Sequence, residues 1–171
     1  MANTNLLKTV VEKEMIDAFS KKYSILPINL SKKQMHEIFD DMEPDLIGYH
    51  IQEKALYLGE ITTSGYMGQK NRDYHVGAVK KVFEAFSRFY LFHDDFLNII
   101  QRAKKANIGI EIESLKCFFI VPEGSRFIKA LGYREKLFKT GHMSLETISL
   151  TEEAHSIMLQ VLKKSKDEMK L

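Results

Sequence analysis

Apolar residues along the chain keep one spacing, then another. Leu7, Val10, Val11, Met15, Ala18 and Phe19 recur at helical intervals and predict a helix over about 6–23. Pro27 interrupts that pattern. Ser31 and Gln34 then have the spacing of a capping box ahead of Met35, Ile38 and Phe39, which predicts a second, short helix. From Asp45 the period shortens. Residues 45–51 read as a strand, 52–54 as a turn and 55–62 as the returning strand, so the pair predicts a hairpin. A polar, glycine-containing loop follows over 63–72. A helix from about Asp73 to Phe92 then places Val79, Val82, Phe83, Phe86 and Tyr90 on one bulky face suited to packing across a sheet. Phe89 and Phe92 fall off that face, so they are expected to meet another helix or a second subunit. A homodimer is therefore one expected partner arrangement.

Beyond this helix the pattern predicts another over 93–105. Lys116 to Val121 is a nearly continuous apolar run, as expected of a strand covered on both faces. Pro122, Glu123 and Gly124 end it. Ser125 is placed to cap a helix to about Phe138. A strand over 144–150 and a helix capped by Thr151 and running to about Lys164 complete the chain, with a charged, solvated end beyond. The expected architecture is α/β: one domain over residues 1–171, with a mixed central sheet flanked by helices. Its core spans about 6–121, and a helix–strand–helix extension spans about 122–171.

Composition changes this picture little. With 44% hydrophobic and 28% charged residues the chain can bury a sizeable core. No apolar run approaches the roughly 20 residues needed to span a bilayer, so no membrane is expected. The first residues lack the basic-then-apolar layout of a signal peptide. The single cysteine, Cys117, lies in the apolar run and has no partner for an internal disulfide; together these make the cytoplasm the expected compartment. A formal charge of +2 does not announce a nucleic-acid binder, although a local basic groove is compatible with it. The six histidines show no zinc-ligand spacing. The loop from Gly65 to Lys70 lacks the ending of a P-loop, and Ser64 has no identifiable His and Asp partners.

Three carboxylates stand apart. Asp45 opens the first hairpin strand and Glu60 lies near the end of the second, so the hairpin can set them side by side. Two carboxylates so placed repel unless a cation or a proton lies between them. Mg²⁺ suits such oxygen ligands. Glu14 falls among apolar positions of the first helix, where an uncompensated charge costs several kcal/mol. Either a metal site or a salt bridge to Lys or Arg is expected to compensate it.

Pro44-Asp45, a hairpin and Glu60-Ile61-Thr62 together resemble the PD-(D/E)XK motif of restriction-endonuclease-like nucleases. The order of elements is similar as well: a helix bearing an acid, the hairpin, an amphipathic helix, then an apolar strand, covering about Glu14 to Val121. The resemblance implies a restriction-endonuclease-like sheet and metal-dependent cleavage of nucleic acid, with DNA the expected substrate. In it Asp45, Glu60 and the backbone carbonyl of Ile61 hold Mg²⁺ or Mn²⁺, with Glu14 assisting. Thr62 stands where the family has its lysine. Either Lys70 or Lys80 replaces that cation from a neighbouring element, or it is lost and the domain only binds nucleic acid or a protein. Lys80 lies at the edge of the predicted apolar face, whereas Lys81 points away from it, toward solvent. Gln69, Lys70, Arg72 and His75, next to the motif, are the expected contacts to the nucleic-acid backbone.

Overall fold

The structure, a computed structural model, describes residues 2–170. The N-terminal apolar run forms a helix in two registers: a π-helical stretch, Leu7–Glu12, continued as α1, Lys13–Tyr23. The i→i+5 bonding of the first part turns the chain less per residue than an α-helix does. Val11, Met15 and Phe19 form its fully buried stripe. Ser24 ends α1 in the left-handed conformation, at φ 52°. A two-residue strand, β1 (Leu26–Pro27), leads to α2 (Lys32–Phe39). That helix opens with the predicted capping box: Gln34 N–H donates to Ser31 Oγ, and Ser31 N–H donates to Gln34 Oε1.

The hairpin forms as β2 (Leu46–His50) and β3 (Ala55–Ile61), antiparallel, with Leu46 opposite Gly59. β4 (Ser114–Pro122) runs parallel to β3, and β5 (Ser144–Ile148) runs parallel to β4. The sheet order is β1-β2-β3-β4-β5, so β3 is central, antiparallel to one neighbour and parallel to the other. The parallel β3–β4 pair requires a crossover. That crossover is α3 (Val76–Asp94) and α4 (Phe96–Lys105).

Strand alternation divides the interior into two cores. Leu56, Leu58, Cys117, Phe119 and Val121 pack with α2, α3 and α4. Tyr57, Ile61, Phe118 and Ile120 pack on the opposite face with α1 and with Met158 of α5 (Glu152–Glu168). The architecture is therefore α/β, with a five-stranded mixed open sheet between helices. The chain after residue 121 contributes β5 to that sheet and sets α5 against the N-terminal helix. Burial of Cys117 agrees with its apolar neighbours and pushes its thiol pKa upward. Among the described residues no helix is long and apolar enough to cross a membrane.

Two expectations fail for physical reasons. The buried face of α3 is Ala78, Val79, Val82, Ala85, Phe89 and Phe92, while Phe83 and Tyr90 remain 41% and 47% exposed. Small residues at 78 and 85 share the inner side of the helix with Phe89 and Phe92, so the face is rotated from the bulky one expected. Phe89 and Phe92 are core residues and supply no surface for a second subunit. The helix expected over 125–138 is instead two 3₁₀ segments, Arg126–Ala130 and Gly132–Lys139, divided where Gly132 takes φ 59°. Ser125 caps neither; its hydroxyl donates to the Pro122 carbonyl.

Candidate functional site

One step beyond the Leu46–Gly59 pair, the hairpin register sets Asp45 opposite Glu60, on the α3 side of the sheet. The Ile61 N–H donates to Asp45 Oδ2 at 2.9 Å, which fixes that carboxylate against the backbone of β3. Glu60 is only 8% exposed. Arg88 of α3 brings Nη2 to 3.1 Å from Glu60 Oε2. Glu60 Oε1 is buried without a hydrogen-bond partner among the described residues. Burial, followed by the neighbouring Asp45 charge, pushes the Glu60 pKa up to about 8; Arg88 and Lys81 oppose the rise without cancelling it. The Arg88 contact therefore accompanies a carboxyl that holds its proton at neutral pH, since a guanidinium also donates to a carboxyl oxygen.

Two further side chains complete the cleft, and both lie one or two positions from the expected ones. Lys81, not Lys80, supplies the cation. Its ammonium donates to Thr62 Oγ1 at 3.3 Å and to Ser64 Oγ at 3.1 Å. Lys80 is exposed and pairs with Glu84 at 3.8 Å. Rotation of the α3 face explains the exchange: with Val82 and Ala85 inward, Lys81 flanks the sheet. Likewise the acid at the cleft is Glu12, not Glu14. Burial, then Asp45, raises the Glu12 pKa, against the pull of Lys8 and Lys81. Glu14 accepts hydrogen bonds from Thr151 N–H and Oγ1 and thereby ties the N-terminal helix to the start of α5. Among the described residues no Lys or Arg pairs with it, and the two Thr151 bonds take the place of the expected salt bridge.

Glu12, Asp45, Glu60, Thr62, Lys81 and Arg88 enclose a cavity of about 260 Å³, which Ile61 also lines. The loop residues expected to touch nucleic acid have other local tasks. Lys70 and Asn71, at φ 50° and 59°, form the tip of a tight turn closed by reciprocal backbone bonds between Gln69 and Arg72. Gln69 Oε1 accepts from Val76 N–H, and His75 Nδ1 accepts from Ala78 N–H, so both cap α3. Burial lowers the His75 pKa. None of Gln69, Lys70, Arg72 and His75 lines the carboxylate cavity. Asp73 and Arg126, paired at 2.7 Å, pin this loop to the chain beyond β4.

Among the described residues no group of three or more His, Cys, Asp and Glu side chains is arranged to hold a metal ion. What the cleft offers is two facing carboxylates with one orphaned buried oxygen, a donor set suited to a hard cation that keeps several of its waters. The chain matches no protein-family model and no curated protein.

Proposed function

We propose that the protein is a metal-dependent phosphodiesterase acting on nucleic acid, with DNA as the expected substrate and a site of the PD-(D/E)XK kind. One observation carries this reading. The Lys81 ammonium lies against the hydroxyl of Thr62, the residue that stands where the resembled family has its lysine. On this reading Lys81 would supply from α3 the cation that β3 lacks. Asp45 and Glu60 would hold Mg²⁺ or Mn²⁺, with the Ile61 carbonyl as a further oxygen donor. Such an ion supplies Lewis acidity and an acidified water when bound.

The chain's own groups act around that ion. Lys81, held by two hydroxyls, is positioned to stabilise negative charge developing on a phosphoryl oxygen. Glu12, with its raised pKa, can accept a proton at the mouth of the cleft. Arg88 restrains Glu60 on β3. Plasmid and single-stranded DNA incubated with Mg²⁺ or Mn²⁺ test the reading. Cleavage by the wild type, lost in Asp45→Ala, Glu60→Ala and Lys81→Ala but retained in Lys80→Ala, is expected. Equal cleavage by all of them would refute it.

A second reading has its own observation. The Arg88 guanidinium sits where a cation would be drawn to Glu60, so an arginine can replace the metal in a non-catalytic module of the same fold. Nucleic-acid binding without divalent ions, unaffected by Glu60→Gln and with no cleavage in any metal, would favour that module.

A further inference from the structure

A second cavity, of about 370 Å³, lies between the N-terminal helix and the turn after β3, lined by Thr4, Asn5, Lys8, Thr63, Ser64 and Lys81. It shares Lys8, Glu12, Thr62 and Lys81 with the carboxylate cleft, so the two spaces adjoin along common side chains. Their chemistry differs. Asp45, Glu60 and Glu84 border only the first. Apart from Leu7, the second is walled by hydroxyls, an amide and two ammonium groups, with Glu12 alone as an acid. The ammonium of Lys81 is already set by Thr62 and Ser64. Lys8 is exposed and forms no ion pair among the described residues, although its charge reaches Glu12. Two ammonium groups that form no ion pair among the described residues and outnumber the single acid, next to neutral hydroxyl donors, fit a phosphate oxyanion better than a base or an apolar group.

Resting on the reading of the Asp45–Glu60–Lys81 cleft as a nucleic-acid site, we propose that this cavity is a second phosphate subsite. Lys8 is the residue that gives it its selectivity. A strand whose scissile phosphate lies at Asp45 and Glu60 would pass Lys81 and place its neighbouring phosphate against Lys8, Ser64 and Asn5. That phosphate is either the next internal diester or a terminal monoester. Both present the same oxyanion, and only the terminal one would make the protein select a phosphorylated strand end.

The test is binding of a 3′-labelled oligodeoxythymidine, with either a 5′-phosphate or a 5′-hydroxyl, measured by fluorescence anisotropy in chelator over a series of salt concentrations. Wild type is compared with Lys8→Ala, Lys8→Arg and Lys13→Ala; Lys13 lines neither this cavity nor the carboxylate cleft. Lys8→Ala is expected to weaken binding about tenfold at low salt. It should also flatten the dependence of log K on log salt by about 0.7, the loss of one phosphate contact on a single strand. Lys8→Arg should restore both quantities and Lys13→Ala should leave them alone. A Lys8 effect confined to the 5′-phosphorylated strand assigns a terminal phosphate, and an equal effect on both strands assigns an internal one. Lys8→Ala binding like wild type, losses matched by Lys13→Ala, or no binding by the wild type would each overturn the proposal. Absence of metal-dependent cleavage with this Lys8 pattern intact would instead remove the nuclease reading and leave the phosphate subsite standing.

Discussion

Replacing Glu60 by glutamine keeps the shape of the side chain and removes its titration. In the folded protein Glu60 takes up its proton with a pKa of about 8, against 4.5 as the ordinary value, because burial and Asp45 disfavour its charge. Between those two values the native state holds a proton that the unfolded state has released. Stability conferred by the protonated carboxyl is therefore complete below pH 4.5 and declines as the pH rises to about 8. Each pH unit in that window is worth about 1.4 kcal/mol, so the whole interval corresponds to roughly 5 kcal/mol. The neutral amide of Glu60→Gln has no such dependence. Urea unfolding of both proteins in chelator, across that pH range, is the appropriate assay. Taking the difference between them removes the titration of groups outside the cleft. The wild type should lose stability relative to the variant by about 1.4 kcal/mol per pH unit. The variant's advantage should therefore be largest near pH 8. Parallel stability curves for the two proteins would show that Glu60 ionises normally and that the buried, Asp45-facing carboxyl described above is wrong.

Further expectations concern the elements around the site. Lys81→Ala should lower the rate of DNA cleavage on the order of 10²-fold, as expected on removing one stabilising donor, while Lys80→Ala changes it little; single-turnover kinetics separates the two. Glu14→Ala removes the two bonds to Thr151. It should cost about 1–2 kcal/mol in urea unfolding with cleavage unchanged. Phe89→Ala, in the core of α3, should cost about 3–5 kcal/mol, whereas Phe83→Ala on the exposed side should stay within about 0.5 kcal/mol. Gly68→Ala should destabilise the loop, because a Cβ there meets the Arg72 carbonyl oxygen and φ is 67°; faster proteolysis between Thr63 and Asp73 would report it.

The hairpin and its two acids were legible because alternation is a strong local pattern and register follows from it. Asp45 needed only to precede one strand and Glu60 to end the other. Lys81 was hidden by the aromatic residues of its helix. Phe83, Phe86 and Tyr90 outweigh two alanines on any hydrophobicity count, yet Ala78 and Ala85 share the inner face with Phe89. The series Ala78, Val82, Ala85, Phe89 and Phe92 has helical spacing of its own, and it points Lys81 toward Thr62. Glu12 was hidden differently. Extending α-helical angles through Leu7–Glu12 assigns the wrong acid, because π-helical turns change the phase of everything N-terminal to Lys13. The 3₁₀ break at Gly132 left a visible glycine, but a glycine within a helical pattern does not by itself reveal its dihedral angle.

Strand β3 does two jobs at once. Every one of its residues is buried, and its last turn of chain presents Glu60 and Ile61 to the cleft. Substitution there is therefore constrained twice over, by packing and by chemistry. The peptide that leaves its carboxyl end is held tightly as well, since a Cβ at Gly65 would run into Ala78 and Phe127. It is stitched to the segment beyond β4 by backbone bonds from Arg126 to Tyr66 and from Phe127 to Gly65. Exchange of Glu60 would thus be felt by the sheet as well as by the cleft, whereas the exposed Lys8 and Lys80 can be exchanged at little cost to packing.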